Sequence, residues 1–184
     1  NLGGFYNRQA EDLQWVTRLA GGEGADPAYL FGRIDQTTLG ITTRLDYAFT
    51  PELSLQVYAQ PFVSSGGYDD FKTIADPRAR AYGDRIARLP HEPGTGTSLS
   101  VPDVTGDEVA DTFGNPNFDF GQFRSNVVLR WQYRPGSVLF LVWAEGRDRW
   151  ATAGEFHGMS DIGDLFRQPA DDVFMIKVSY WLNP

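Results

Sequence analysis

The chain has 184 residues, 41% hydrophobic and 14% aromatic, with 20 Gly, 11 Pro, no Cys and a net charge of −8. That length is enough for one domain with its own core, and the acidic balance argues against nucleic-acid binding, which needs a basic patch. The lack of cysteine excludes a disulfide-stapled fold and Cys nucleophiles, and the longest apolar run, Val138 to Ala144, falls far short of the roughly 20 residues of a membrane helix.

In chain order, Leu13 to Leu19 reads as a first strand. The Gly-rich loop from Gly21 to Pro27 follows it, and Tyr29 to Asp35 extends the next strand after a change of parity of the kind a β-bulge produces. From Thr37 to Phe49 the period is two: Leu39, Ile41, Thr43, Leu45, Tyr47 and Phe49 share one face, and Gly40, Thr42, Arg44, Asp46 and Ala48 the other. Thr50-Pro51-Glu52 is a tight turn, with proline presetting the φ that a turn needs. Leu53 to Val63 repeats the alternation, Leu53, Leu55, Val57, Ala59 and Val63 lying opposite Ser54, Gln56, Tyr58 and Gln60. A long polar stretch, about 64–117, follows without sustained period; Arg78 to Leu89 within it suits a short helix.

Phe118 to Tyr133 alternates again, with Phe123, Val127, Leu129, Trp131 and Tyr133 opposite Arg124, Asn126, Arg130 and Gln132. Arg134-Pro135-Gly136 makes a second short turn into Ser137 to Glu145, a strand apolar on both faces at its start. A polar stretch of about 146–172, with a short helix expected over Asp164 to Pro169, tucked into a barrel mouth, leads to the last strand. That strand puts Phe174, Ile176, Val178, Tyr180 and Leu182 on one face and Met175, Lys177, Ser179 and Trp181 on the other.

The expected fold is therefore all-β: an antiparallel meander of about six strands, forming the C-terminal part of a transmembrane β-barrel. Residues 1–184 make a single partial barrel domain with external loops at about 20–28, 64–117 and 146–172. Connections alternate long and short, as they do in outer-membrane barrels, so a periplasmic C-terminus puts both Pro turns in the periplasm and every long loop outside. Tyr47, Phe49, Trp131, Tyr133, Tyr180 and Trp181 then fall at the periplasmic rim as an aromatic girdle. Arg44, Asp46, Gln56, Arg124, Arg130 and Lys177 on the alternate face suit a wet lumen, either lining a transport path or pairing to hold neighbouring strands together. The alternative fold is a soluble β-sandwich or barrel with one solvated face, acting as a ligand-binding module.

Three stretches carry a resemblance: LDYAFTPELSLQVYAQPF (Leu45 to Phe62), NPNFDFGQFRSNVVLRWQYRPGSVLFLVW (Asn115 to Trp143) and DLFRQPADDVFMIKVSYWLNP (Asp164 to Pro184). In order and spacing they resemble the C-terminal outer-membrane β-barrel domain of an uncharacterised bacterial family, typically preceded by a carbohydrate-binding, family-9-like domain. The resemblance implies a cell outer-membrane location, contact with lipid and lipopolysaccharide, and a longer parent protein that can meet carbohydrate through its N-terminal region. It implies no established activity. The ending also resembles the signal read by outer-membrane insertion machinery, although its aromatics, Tyr180 and Trp181, precede Leu182-Asn183-Pro184. Six strands are too few to close a barrel, since single-chain barrels start at roughly eight, so either further strands precede Asn1, the favoured expectation, or several chains close one barrel.

Other chemistry is sparse. Asp103, Thr105, Asp107 and Asp111 take positions 1, 3, 5 and 9 of a calcium-loop-like pattern, but Glu108 and Gly114 occupy the places of its glycine and its bidentate glutamate. A solvated acidic loop is the preferred reading, with no cofactor and calcium as the alternative. His91 and His157 stand in separate loops, the pairs Asp69-Asp70 and Asp171-Asp172 build no acid–base constellation, and Gly21-Gly22-Glu23-Gly24 and Gly66-Gly67 lack the strand–loop–helix context of a phosphate loop. The chain is not expected to be an enzyme; Asp107, Glu108 and Glu155 are the loop acids on which a hydrolase reading would rest.

Overall fold

The computed structural model describes residues 1–21, 27–93 and 97–182; the Gly-rich segment 22–26 and the last two residues of the C-terminal signal lie outside the described residues. The strands are β1 (Leu2–Leu19), β2 (Ala28–Ala48), β3 (Leu53–Ile74), β4 (Ile86–Arg88), β5 (Glu92–Pro93), β6 (Ser98–Val101), β7 (Asp111–Gly114), β8 (Phe118–Arg134), β9 (Ser137–Ala151) and β10 (Asp171–Ser179), with one helix, α1 (Met159–Leu165). The six long strands form a single antiparallel meander in the order β1-β2-β3-β8-β9-β10. β4 extends the far end of β3, and β5-β6-β7 form a separate small sheet. Among the described residues the large sheet is open: β1 and β10 each pair on one side only.

Turn chemistry sets the layout. At the β2–β3 turn Thr50 Oγ1 accepts the amides of Glu52 and Leu53 at 3.2 and 3.0 Å, so the hydroxyl stands in for a backbone acceptor. At the β8–β9 turn Gly136 supplies φ +77° directly after Pro135, the combination a type II turn requires. Both tight turns lie at one end of the sheet, and the three longer connections, 20–27, 75–117 and 152–170, lie at the other.

Several boundaries differ from those expected. β1 begins at Leu2, not near Leu13, because Leu2 to Glu11 pair continuously with β2 from Thr43 to Ile34. Ser64 to Ile74 belong to β3, and Gly146 to Ala151 to β9, so the long connections are shorter than 64–117 and 146–172. The segment Arg78 to Leu89 holds only a 3-10 turn, Tyr82–Arg85, before β4. The helix expected over Asp164 to Pro169 lies earlier, at Met159–Leu165, where Ile162 and Leu165 bury one turn apart. The parity change near Tyr29 is present, but its extra residues sit on the neighbours. Asp70 of β3, at φ +45°, is the odd residue opposite Phe31 to Arg33, and β1 shifts register between Glu11 and Gln14 and again between Trp15 and Thr17.

The packed core sits at the long-connection end. Leu19, Leu30, Phe71, Val101 and Phe113 bury together, with Phe71 edge-on to Phe113 at 5.2 Å and to His91 at 4.9 Å. A Cβ at Gly32 would lie 3.2 Å from the Phe71 ring, so glycine is what lets that ring cross β2. The 75–117 connection thus folds back over the sheet end and buries its own apolar residues there.

Candidate functional site

Directly opposed residues of an antiparallel pair share a face, so the register sorts the side chains without ambiguity. One face of the turn half carries three apolar rows: Leu53–Trp131–Leu139–Val178, Tyr47–Leu55–Leu129–Leu141–Ile176 and Leu45–Val57–Val127–Trp143–Phe174. Nothing among the described residues covers them, and Phe174 and Ile176 are exposed by 74% and 71%. The next row, Thr43–Ala59–Ser125–Glu145–Asp172, turns polar, and Trp143 Nε1 donates to Asp172 at 2.7 Å across that boundary.

Farther out, the same face is covered by the 152–170 connection. Leu165 lies over Gly121, Phe166 meets Phe123 at 4.8 Å, and Arg147 donates to the carbonyls of Phe166 and Gln168, each at 2.7 Å. Buried Asp119 accepts the amides of Ala153 and Gly154 at 3.1 Å. The helix therefore packs on the apolar-row side of the sheet, opposite the lumen candidates, and not inside a barrel mouth lined by them as the sequence suggested.

The predicted lumen residues fall together. Arg44, Asp46, Gln56, Arg124, Arg130 and Lys177 all lie on the face opposite the apolar rows, in register with Tyr58, Val128, Asn126, Ser54 and Phe140. A shallow cleft of about 270 Å³ there is lined by Arg44, Asp46, Gln56, Tyr58, Asn126 and Val128. Arg124 is paired with Asp148 at 2.9 Å. Arg44 lies 5.4 Å from the Tyr58 ring, Lys177 lies 6.0 Å from the Phe140 ring, and Arg130 reaches Gln132 Oε1 at 3.4 Å. Toward β10 this face becomes apolar through Phe140, Val142, Val173 and Met175, so apart from Lys177 the polar lining belongs to β2, β3 and β8.

The six aromatic candidates gather at the tight-turn end. Tyr47 meets Phe49 at 4.9 Å, Trp131 meets Tyr133 at 6.1 Å, the Tyr133 hydroxyl reaches the Ser179 carbonyl, and Tyr180 and Trp181 flank the Pro135-Gly136 turn.

Asp103, Thr105, Asp107 and Asp111 also come together, through backbone capping. Asp103 accepts the amides of Thr105, Gly106 and Glu108 at 3.0, 2.6 and 2.8 Å, and Asp111 accepts Val104 N and Thr105 Oγ1. Those donors, led by the Gly106 amide, hold the Asp103 carboxyl below its ordinary range against a smaller desolvation effect. Among the described residues no group of three or more His, Cys, Asp or Glu is arranged to hold a metal ion. His157 contacts Glu155 and Asp161 at 3.6 and 3.7 Å, in the segment that docks on the sheet.

A second cleft, of about 540 Å³, lies between β1–β3 and the 153–156 segment; the bidentate Arg8–Asp35 pair, Tyr6 and Phe156 are among its walls. Sequence reasoning missed it because β1 reads polar on both faces there and its partner loop lies some 150 residues away. At the β3 bulge, the Lys72 ammonium, with Arg88 beyond it, holds Asp70 below the usual carboxylate range, and the Lys72 side chain is only 5% exposed.

No curated protein and no solved structure matches the chain. The profile of a domain of unknown function, DUF5916, matches residues 2–183. A match over that extent, which takes in every strand of the sheet, means that the chain belongs to the DUF5916 family.

Proposed function

We propose that this domain is a wall segment of an outer-membrane β-barrel, with the apolar rows against lipid and the Arg44–Lys177 face toward the lumen. The observation that carries the reading is the uncovered three-row apolar band across β2, β3, β8, β9 and β10, rimmed by aromatics at the tight-turn end. Contiguous apolar surface of that extent requires a cover, and rows with a polar face behind them and aromatics at one margin match a bilayer in chemistry. The six long strands run 15 to 22 residues except for β10 with 9, and about 9–11 residues span a membrane, so the outer halves project beyond it and carry the folded loops.

The bare edges of β1 and β10 fit the same reading, because an open edge is untenable in lipid and further strands would close the wall. Lipid, lipopolysaccharide and the insertion machinery are the implied partners. The barrel would anchor a glycan-binding module or pass a glycan-derived solute, roles that rest on the family resemblance, and no catalytic step is assigned.

Fractionation tests the location. The full-length protein is expected to stay in outer membranes through carbonate and high-salt washing and to migrate differently in gels with and without boiling. Release into the soluble fraction would overturn the proposal. The alternative, a soluble ligand-binding module, draws on the packed core at the long-connection end and the 540 Å³ cleft, and predicts folding in detergent-free buffer.

A further inference from the structure

We infer that the lumen-side face of this wall segment selects small anionic solutes, with Arg44, Arg130 and Lys177 as the attracting charges; the inference rests on the barrel reading above.

The argument starts from where cations find partners. In the outer half of the sheet, the strand arginines and lysines are matched on both faces, Arg18 at the end of β1 excepted: Arg8 with Asp35, Arg33 with Asp12, Lys72 with Asp70, Arg124 with Asp148, Arg147 with Glu145 and Arg149 with Asp161. In the turn half the pattern stops. Among the described residues Arg44, Arg130 and Lys177 make no ion pair; their contacts are two aromatic rings and one amide oxygen. All three share one face, with Asp46 as the carboxylate among them, which leaves two positive charges in excess on a chain whose total is −8.

The placement decides what those charges can do. They point away from the apolar rows, so lipid headgroups along the apolar face are not their partners. Aromatic faces beside Arg44 and Lys177 hold a cation in place without neutralising it. Guanidinium forks present donors matched to carboxylate and phosphate oxygens, and rings of Arg and Lys are how anion and phosphate pores select. A low-dielectric wall focuses such a field into the channel and raises the local anion concentration.

The test uses the full-length protein reconstituted in planar bilayers, after heat-modifiable migration has shown that it inserted. Under a potassium chloride gradient near 0.1 M, the reversal potential is expected to give chloride a permeability at least about twofold above potassium. Selectivity should fade at 1 M, where the Debye length drops from about 10 Å to about 3 Å. Replacing Arg44→Gln, Arg130→Gln and Lys177→Gln together should bring the ratio to one or below, and orthophosphate should reduce the chloride current of the parent protein but not of this variant. Lys177→Gln alone, on the exposed strand β10, shifts the potential in the same direction and guards against a misfolded triple variant. An inserted protein that is cation-selective, passes no current, or keeps its ratio in both variants overturns the inference and leaves the barrel reading standing. Failure to insert overturns both.

Discussion

Ile176→Arg is the substitution that separates a lipid-facing row from a solvated one. Ile176 lies four residues from Asp172, where the band turns polar, and four from Tyr180 at the aromatic rim. At about 3.4 Å per residue those eight steps cover roughly 27 Å along the strand. With a tilt near 40° they span roughly 21 Å along the membrane normal, close to the ~25 Å apolar band of outer-membrane barrels. On the proposed barrel reading Ile176 would therefore lie near the midplane, where an arginine on the lipid face costs about 2–4 kcal/mol. Met175, its neighbour in sequence, faces the other side beside Val142, away from lipid on that reading, where Arg should cost about 0.5 kcal/mol or less, as at an ordinary solvated site. Were the band bathed in water, an exposed site such as Ile176 would accept Arg within about 0.5 kcal/mol. Denaturant titration of the full-length protein folded into lipid vesicles measures both variants. Equal free energies for Ile176→Arg and Met175→Arg, within about 0.5 kcal/mol, would refute the assignment of faces.

Two further outcomes follow from local geometry. Gly136→Ala should destabilise by about 1–2 kcal/mol in the same titration, because φ is +77° and the new Cβ would lie 2.9 Å from Trp181 Cβ, whereas Gly3→Ala, with open space around it, should change little. Acidification should loosen the loop around Asp103. Its folded-state pKa is lowered, so the carboxylate's contribution is complete above the unfolded value near 3.9 and is lost as pH falls through the lower folded value. Hydrogen exchange at the Thr105, Gly106 and Glu108 amides should accelerate in that window, and in Asp103→Ala at any pH; unchanged protection in the variant would discredit the cap.

The strand faces were legible wherever one face must be apolar and the other polar. Leu45 to Phe49, Leu53 to Ala59 and Val127 to Trp131 alternate because the band demands it, and the register then brought all six lumen candidates to one side. Outside the band that demand lapses. Ser64 to Ile74 and Gly146 to Ala151 continue as strands, but their faces meet loops, ion pairs or water, so no period marks them. β1 is similarly masked: Leu2 to Glu11 takes its strand state from pairing with β2, and its exposed side chains carry no core signal. The core itself was illegible for a different reason. Leu19, Phe71, Val101 and Phe113 are single apolar residues in polar surroundings, and with Leu30 of the short run Ala28 to Phe31 they are brought together only by the return of the 75–117 connection.

The two halves of the sheet are stabilised by different means, and the magnitudes show why the turn half needs something beyond the residues described. Leu45, Tyr47, Trp131, Leu141, Trp143, Phe174, Ile176 and Val178 of the band are each exposed by 38% or more. Full burial of such a side chain contributes about 1.5–3 kcal/mol, so covering the exposed half of eight comes to roughly 6–12 kcal/mol. That is comparable with the 5–15 kcal/mol by which a whole domain is typically stable. A second sheet or a bilayer could each supply it. They differ in what they require of the other face and of the edges: a sandwich tolerates an edge strand and pairs its surface charges freely, whereas a barrel wall must extend its hydrogen bonding beyond both β1 and β10 and can leave lumen cations for a solute. Among the described residues, the open outer edges of β1 and β10 and the three cations without an ion pair behind the apolar rows are the features on which the proposed barrel wall would draw.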